Sequence, residues 1–307
     1  VSEKRNATAI CSELLLVVIL WGGNNVGTKW LVAAWPPIWT GGTRFLIAGI
    51  FLLAVLRFTN WLGEFQPTPR NLWPSLWFRG GLGLSAYIVP FCWALHLTAA
   101  SHVALYLGAS PIWALLAEER PRLSLASFRR YAAAILALSG VVVLFWPALK
   151  TGRSNLLGEL VALAASIAWA NYNWQARFLS QKIPGVEVAA HSMWMSGVWL
   201  VPIGLLEIAM SHHGLVLDAP HLGVQALCIL FGGVVPYALW NSALRHWRAS
   251  QVMLFNNFIP ITTTLWAFFI LHEPVTTTFC AAMGLIAAGV LIGQMDWSKI
   301  FKLPESF

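Results

Sequence analysis

The chain reads as an all-α membrane protein, and three observations predict this. The first is composition: 58% of its 307 residues are hydrophobic and 10% charged, with mean hydropathy +0.68, where soluble domains carry about 25% charged residues. The second is the gathering of apolar residues into ten runs of spanning length joined by short loops. The third is a polar face that occurs twice. Trp21-x3-Asn25-x3-Lys29 returns as Trp169-x3-Asn173-x3-Arg177, and steps of four set ring, amide and cation on one side of a helix. Eighteen Trp and seventeen Phe fit aromatic belts at two membrane interfaces. A formal charge of +7 would hint at nucleic acid in a soluble chain; here its placement in loops sets orientation instead. Cys11, Cys92, Cys228 and Cys280 lie in apolar stretches without metal-type spacing, so buried, reduced packing is expected.

The spans fall near 8–28, 38–56, 77–97, 100–117, 128–147, 156–177, 185–209, 222–245, 250–271 and 276–296. The first lacks a small-residue cleavage motif and resembles its later copy, so it is expected as a retained helix. It carries Asn24 and Asn25 beside Gly22, Gly23 and Gly27. The second holds Arg44 about two turns inside, a costly place for a cation. The loop 57–76 contains Pro and Trp and suits the interface. The third span carries Tyr87 and Pro90, the fourth Tyr106 and Pro111, and the fifth Gly140. The sixth contains Trp169, Tyr172 and Asn173, and the seventh His191 in the place matching Arg44. Tyr237, Trp240 and Asn241 share one face of the eighth. The ninth contains Asn256, Asn257 and Pro260, and only the turn His272-Glu273-Pro274 separates it from the tenth.

Lys and Arg fix the orientation. With the N-terminus inside, the inner loops collect fourteen of them, from Lys4 and Arg5 through Arg129 and Arg130 to Lys299 and Lys302. The outer loops collect Lys29, Lys150 and Arg153. Both termini are therefore expected in the cytoplasm. Five helices carry the chain to the opposite face, so residues 1–150 and 151–307 are expected as two inverted five-helix repeats of one membrane domain. Ala100-Ser101 with Ala249-Ser250, Pro111 with Pro260 and Gly140 with Gly289 all lie 149 residues apart, and the Trp and Asn pairs lie 148 apart. Transporters use inverted repeats to alternate between two openings around a midplane site.

These residues resemble the drug/metabolite transporter superfamily, specifically its EamA-type ten-helix exporters. The resemblance runs from about Ile10 to Trp297. It is carried by Leu20-Trp21-Gly22-Gly23-Asn24-Asn25, Thr43-Arg44-Phe45, Ser110-Pro111, Pro260 and Glu273-Pro274. The chain looks most like the YddG-type exporters of aromatic and neutral amino acids. One departure stands out: Pro260 precedes Glu273 by thirteen residues, whereas Pro111 precedes Glu119-Arg120-Pro121 by eight. The fourth span is thus expected to be short. The resemblance implies alternating access in a bacterial cytoplasmic membrane, with the site between spans one, three and four and spans six, eight and nine.

The candidate substrate-binding residues are Trp21, Asn25, Tyr87, Tyr106, Trp169, Tyr172, Asn173, Tyr237, Trp240, Asn241, Asn256 and Asn257. Polar groups in lipid need partners, and the amides serve either a zwitterionic substrate or interhelical packing beside small residues. Four of the chain's five Tyr fall in the implied cavity helices, which favours an aromatic wall suited to stacking or to an ammonium. Trp35, Trp39, Trp61, Trp73, Trp77 and Trp297 near span ends read as belt residues. Pro111 and Pro260 each remove a backbone donor and read as a hinge or gate. Arg44 either meets a substrate carboxylate or snorkels to the surface, and snorkelling is the favoured reading. Lys29 and Arg177 end their helices at opposite faces, where the helix dipole favours a cation.

Acids cluster at span ends and loops, so facilitated export and proton antiport stand level. There is no His-Glu-x-x-His, phosphate-binding Gly-rich loop or acidic metal cluster, and an enzyme is not expected. The expected partners are a small-molecule substrate, an amino acid first and a purine or drug-like compound second, and the lipid bilayer. No cofactor, metal, nucleic acid or obligate protein partner is expected.

Overall fold

The computed structural model describes residues 7–62, 65, 67–113, 153–211 and 215–294, with helical pieces between 132 and 146. The expected turn at Glu119-Arg120-Pro121, most of span 128–147 and Trp297 lie outside the described residues. Nine helices are numbered here: α1 Ala7–Val32, α2 Pro37–Phe58, α3 Arg70–Leu97, α4 Ala100–Gly108, α5 Arg153–Ser180, α6 Gly185–Met210, α7 Ala219–His246, α8 Gln251–Ile270 and α9 Thr277–Gln294. Among the described residues there is no strand. Six helices, α1, α2, α3, α6, α7 and α8, are long and apolar enough to cross a bilayer. Their outward faces carry large apolar side chains such as Leu15, Ile47, Leu206 and Phe269, a surface that only lipid covers without penalty.

Most apolar runs became helices within a few residues of the expected limits, because in hydrocarbon every backbone N–H and C=O must be satisfied within the segment. The helices are not uniform. Residues Leu76–Leu82 of α3 and Cys228–Val234 of α7 are π-helical, each contains a Gly-Gly pair, and each lies shortly before a tyrosine, Tyr87 or Tyr237. In α8 a 3-10 stretch, Leu254–Phe258, precedes Pro260.

Among the described residues the largest helix–helix interface is α2 against α6. Two glycines 148 residues apart permit it. A Cβ on Gly49 would lie 2.2 Å from the backbone nitrogen of Trp194, and one on Gly197 would lie 2.5 Å from Cα of Leu46. Each helix thus opens a bare patch to the other's backbone.

The helix ends are tied across the matched segments. Lys29 Nζ donates to the carbonyl of Thr98 at 2.9 Å, and Thr98 closes α3. Arg177 donates to the carbonyls of Leu244 and Trp247, and Trp247 closes α7. A cation at the end of one helix thus takes up the orphan carbonyls at the end of another, twice. Thr98 also donates to Glu159 Oε1 at 2.6 Å, so the last turns of α1 and the first turns of α5 meet at one place and the two helices run antiparallel. Arg177 lies 18 residues beyond Glu159, about 27 Å along a helix. The two closures therefore sit at opposite ends of the bundle.

Acidic side chains serve the helix starts. Glu273 accepts from the backbone N–H groups of Ala100 and Ser101 at 2.8 and 3.2 Å and from Ser101 Oγ at 2.8 Å. Glu207 accepts from the N–H groups of Ile38 and Trp39 at 2.8 and 3.3 Å. Asp218 caps α7 through the N–H of His221, and that hydrogen bond holds its carboxyl below the usual range. All four cysteines are free. Cys92 and Cys228 are buried as expected, but Cys11 is half-buried and Cys280 is exposed, because α9 turns that face outward.

Candidate functional site: an aromatic cavity between the matched helices

Two helices with the same polar face bring their tryptophans together. Trp21 of α1 and Trp169 of α5 meet edge to face, with centroids 5.3 Å apart at 85°. Tyr237 and Trp240 of α7 lie 5.5 and 4.9 Å from Trp21, and Tyr87 of α3 lies 4.8 Å from Trp169. Tyr172 stacks behind Trp169 at 5.7 Å, and Phe45 of α2 meets Tyr237 edge-on at 5.2 Å. Edge-to-face pairs of this kind add about 0.5–1.5 kcal/mol each beyond area burial, so the rings form one packed wall.

Its anchor is a backbone oxygen. Pro236 has no N–H to give the carbonyl four residues earlier, that of Gly232. Trp21 Nε1 donates to that carbonyl at 3.1 Å. The indole of the first half is thus pinned by a proline-freed acceptor in the second.

The rings border a small cavity of about 20 Å³ lined by Trp21, Asn24, Asn25, Arg44, Phe45, Tyr87, Phe91, Leu107, Trp169, Gly232, Tyr237 and Ile259. That is roughly the space of one water molecule, too small for a metabolite. A second, larger recess of about 430 Å³ lies between α1, α7 and α8 and is lined by apolar residues including Leu20, Gly27, Leu227, Phe231 and Trp266. It shares Asn24 and Gly232 with the cavity.

Of the twelve binding candidates, Trp21, Asn25, Tyr87, Trp169 and Tyr237 line the cavity. Asn25 Nδ2 donates to Thr263 Oγ1 at 3.0 Å. Its counterpart is engaged differently. Asn173 accepts from Trp240 Nε1 at 2.5 Å and donates to the carbonyl of Trp169 at 2.8 Å, and it is fully buried behind the wall. Tyr172, Asn173 and Trp240 thus support the wall rather than face the space. Tyr106 is buried on α4. Its backbone carbonyl accepts from Ser166, and its hydroxyl is directed to Glu159. Asn241 donates to the carbonyl of Tyr237, one turn back. Asn257 bonds the carbonyl of Leu254, and Asn256 donates to Ser110 Oγ at 2.9 Å. Asn256 belongs to the crossing of α4 and α8, where a Cβ on Gly108 would lie 3.0 Å from Pro260. Pro111 and Pro260 are both buried near that crossing.

Arg44 does not snorkel. It is 1% exposed, because its side chain lies on the face of α2 turned to α1, α3 and α7, opposite the face that packs on α6. Nη1 donates to Asn24 Oδ1 at 3.0 Å and Thr28 Oγ1 at 2.6 Å, and Nε is buried without a hydrogen-bond partner. The guanidinium carbon stands 4.8 Å from the Phe45 centroid and 5.8 Å from that of Phe91. His191, its counterpart in α6, is outside the cavity: Nε2 pairs with Thr68 Oγ1 and Nδ1 accepts from Trp194, both at 3.1 Å.

Besides Arg44 and Asn24, which were weighed but not taken as binding residues, the sequence reasoning missed Phe45, Phe91, Leu107, Gly232 and Ile259 as lining residues. The Thr43-Arg44-Phe45 triplet and the Gly-Gly before Pro236 were the available signals. Among the described residues no group of three or more His, Cys, Asp or Glu could hold a metal ion.

The sequence matches the EamA-like transporter family over residues 9–146 and again over 156–293. It is 25% identical to a probable terminal-alkyne amino-acid exporter of Streptantibioticus cattleyicolor over 91% of both chains. It is 24% identical to a probable amino-acid metabolite efflux pump of Salmonella typhimurium, over 91% of this chain and 92% of that one. An uncharacterized transporter of Archaeoglobus fulgidus is 24% identical, over 91% and 96%. One solved crystal structure shares the fold with a TM-score of 0.66 at 18% identity, covering 94% of this chain and 98% of the other. With both halves matched, the chain belongs to the EamA-like transporter family and is a multi-pass integral membrane transporter, not an enzyme.

Proposed function

We propose that the protein exports small metabolites, aromatic and neutral amino acids first, across the bacterial inner membrane. It does so by alternating access at the central aromatic cavity. In this reading ten spans form two inverted five-helix repeats, 1–150 and 151–307, with both termini cytoplasmic. The observation that carries it is the convergence of Trp21 and Trp169, equivalent residues of the two matched segments, on one small cavity with amide groups at its edge. Rings on several sides suit a planar or apolar side chain, and Asn24 and Asn25 suit the polar end. Relatives named as amino-acid exporters support the substrate class.

The cavity must widen to admit such a substrate, so the rings of the two repeats must part. Pro111 and Pro260 near the α4–α8 crossing are the hinge, and the cation closures at Thr98 and Trp247 are the gates. Counterflow in proteoliposomes tests the function: preloaded phenylalanine drives uptake of labelled phenylalanine. Absence of exchange for every amino acid in the panel would sink the substrate reading.

A further inference from the structure

We propose that Arg44 is a carboxylate subsite of the central cavity, so that the substrates recognised are organic carboxylates with a compact aromatic or apolar body. The inference rests on the transport reading above and narrows it.

A guanidinium stays charged in any protein environment, and burying it is costly unless an anion or a full set of acceptors receives it. Arg44 has neither. Among the described residues no Asp or Glu pairs with it, its hydrogen bonds from Nη1 go to the neutral groups of Asn24 and Thr28, its other polar neighbour is the Cys228 thiol, and Nε has no partner. Asn24 and Thr28 come from α1 and hold the group in place without discharging it. The rings of Phe45 and Phe91 flank it, which steadies the cation but gives its N–H donors nowhere to go. The planar fork of donors is thus pre-positioned, partly unspent and lining the cavity. A carboxylate is the group that matches this fork in shape and charge.

The remaining lining residues are neutral. Among the described residues no carboxylate lines the cavity, so a substrate's ammonium would meet only ring faces and amide oxygens. Recognition therefore centres on the anion. Cationic drug-like compounds and uncharged purines fit the rings but not the charge.

The test is a ligand panel on the purified wild-type protein and on Arg44→Gln and Arg44→Lys. The panel contains phenylalanine, phenylpropanoate, phenylalaninamide and phenethylamine, with a set of nucleobases and other metabolite carboxylates. Competition in counterflow and protection against thermal unfolding in detergent are both read. Phenylpropanoate, which lacks only the amino group, is expected to compete with phenylalanine, whereas the amide and the amine are not. Arg44→Gln is expected to raise the KM for carboxylates roughly tenfold or more, the effect of losing a charge-assisted hydrogen bond. Arg44→Lys should recover part of that affinity. Arg44→Gln should also keep or raise the unfolding temperature, because it removes a buried unpaired charge, whereas a purely structural arginine would lower it.

The proposal is overturned if phenethylamine or phenylalaninamide competes as well as phenylalanine in the wild type, a result independent of any variant's folding. It is equally overturned by an unchanged KM in Arg44→Gln, or if no carboxylate in the panel exchanges or protects. If amino acids fail but another carboxylate exchanges and depends on Arg44, the amino-acid reading falls and the subsite stands.

Discussion

Two residues that look equivalent in the sequence, Asn25 and Asn173, carry different loads. Asn173 joins Trp240 to the backbone at Trp169, and replacing it with Ala leaves the Trp240 indole N–H buried without an acceptor. An unsatisfied buried donor costs about 1–3 kcal/mol, so Asn173→Ala should lower the unfolding temperature in detergent as well as slow transport. Asn25→Ala should leave the unfolding temperature nearly unchanged while raising the KM for substrate. Trp169→Ala removes a wall of the cavity; counterflow should fall steeply while membrane insertion, read by fractionation, persists. The difference between the two asparagines was not legible from their shared spacing, because spacing fixes the face of a helix and not what the neighbouring helix offers. Arg44 shows the same limit. A cation two turns inside an apolar run has a stem long enough to reach water, and only the acceptors on α1 and the neighbours on α3 and α7 decide that it stays inside.

At the scale of elements, hydropathy and short loops made the helices readable, because the bilayer leaves the backbone no other state. The π-helical stretches were not readable. A Gly-Gly pair in an apolar run marks close packing, a kink or a π turn equally well; here Ser192 and Met195 pack against the pair in α3 and Asn24 against Gly232 in α7. The α2–α6 contact gives a firm prediction. Gly49→Val would drive a side chain into the backbone of Trp194, which cannot yield as a flexible side chain would. The variant should express poorly or unfold at markedly lower temperature, and a normal melting curve would show that the two helices are not held this closely. A milder change is expected at Glu273, whose carboxylate serves the start of α4. Glu273→Ala should cost about 1 kcal/mol, the usual loss of a helix cap, measured by unfolding in detergent. It should also speed amide exchange in Val103 and Ala104.

For the whole molecule, the two cation closures are the ties that join helix ends at opposite ends of the bundle. Replacing Lys29 with Gln should quicken hydrogen exchange at the end of α3 around Thr98 and leave the end of α7 around Trp247 unchanged, since the closures are about 27 Å apart. Equal quickening at both ends would mean that the bundle loosens as one body. The sequence placed Lys29 and Arg177 as equivalents but read them as anchors, because their acceptors lie about 70 residues away on other helices. The two ties are alike in plan and unequal in strength: one ammonium holds a single carbonyl, and one guanidinium holds two. If each facing state requires one tie to be broken, the balance between inward and outward rest is decided by that inequality. A choice between lysine and arginine at one matched position would then set which way an otherwise near-symmetric machine prefers to wait.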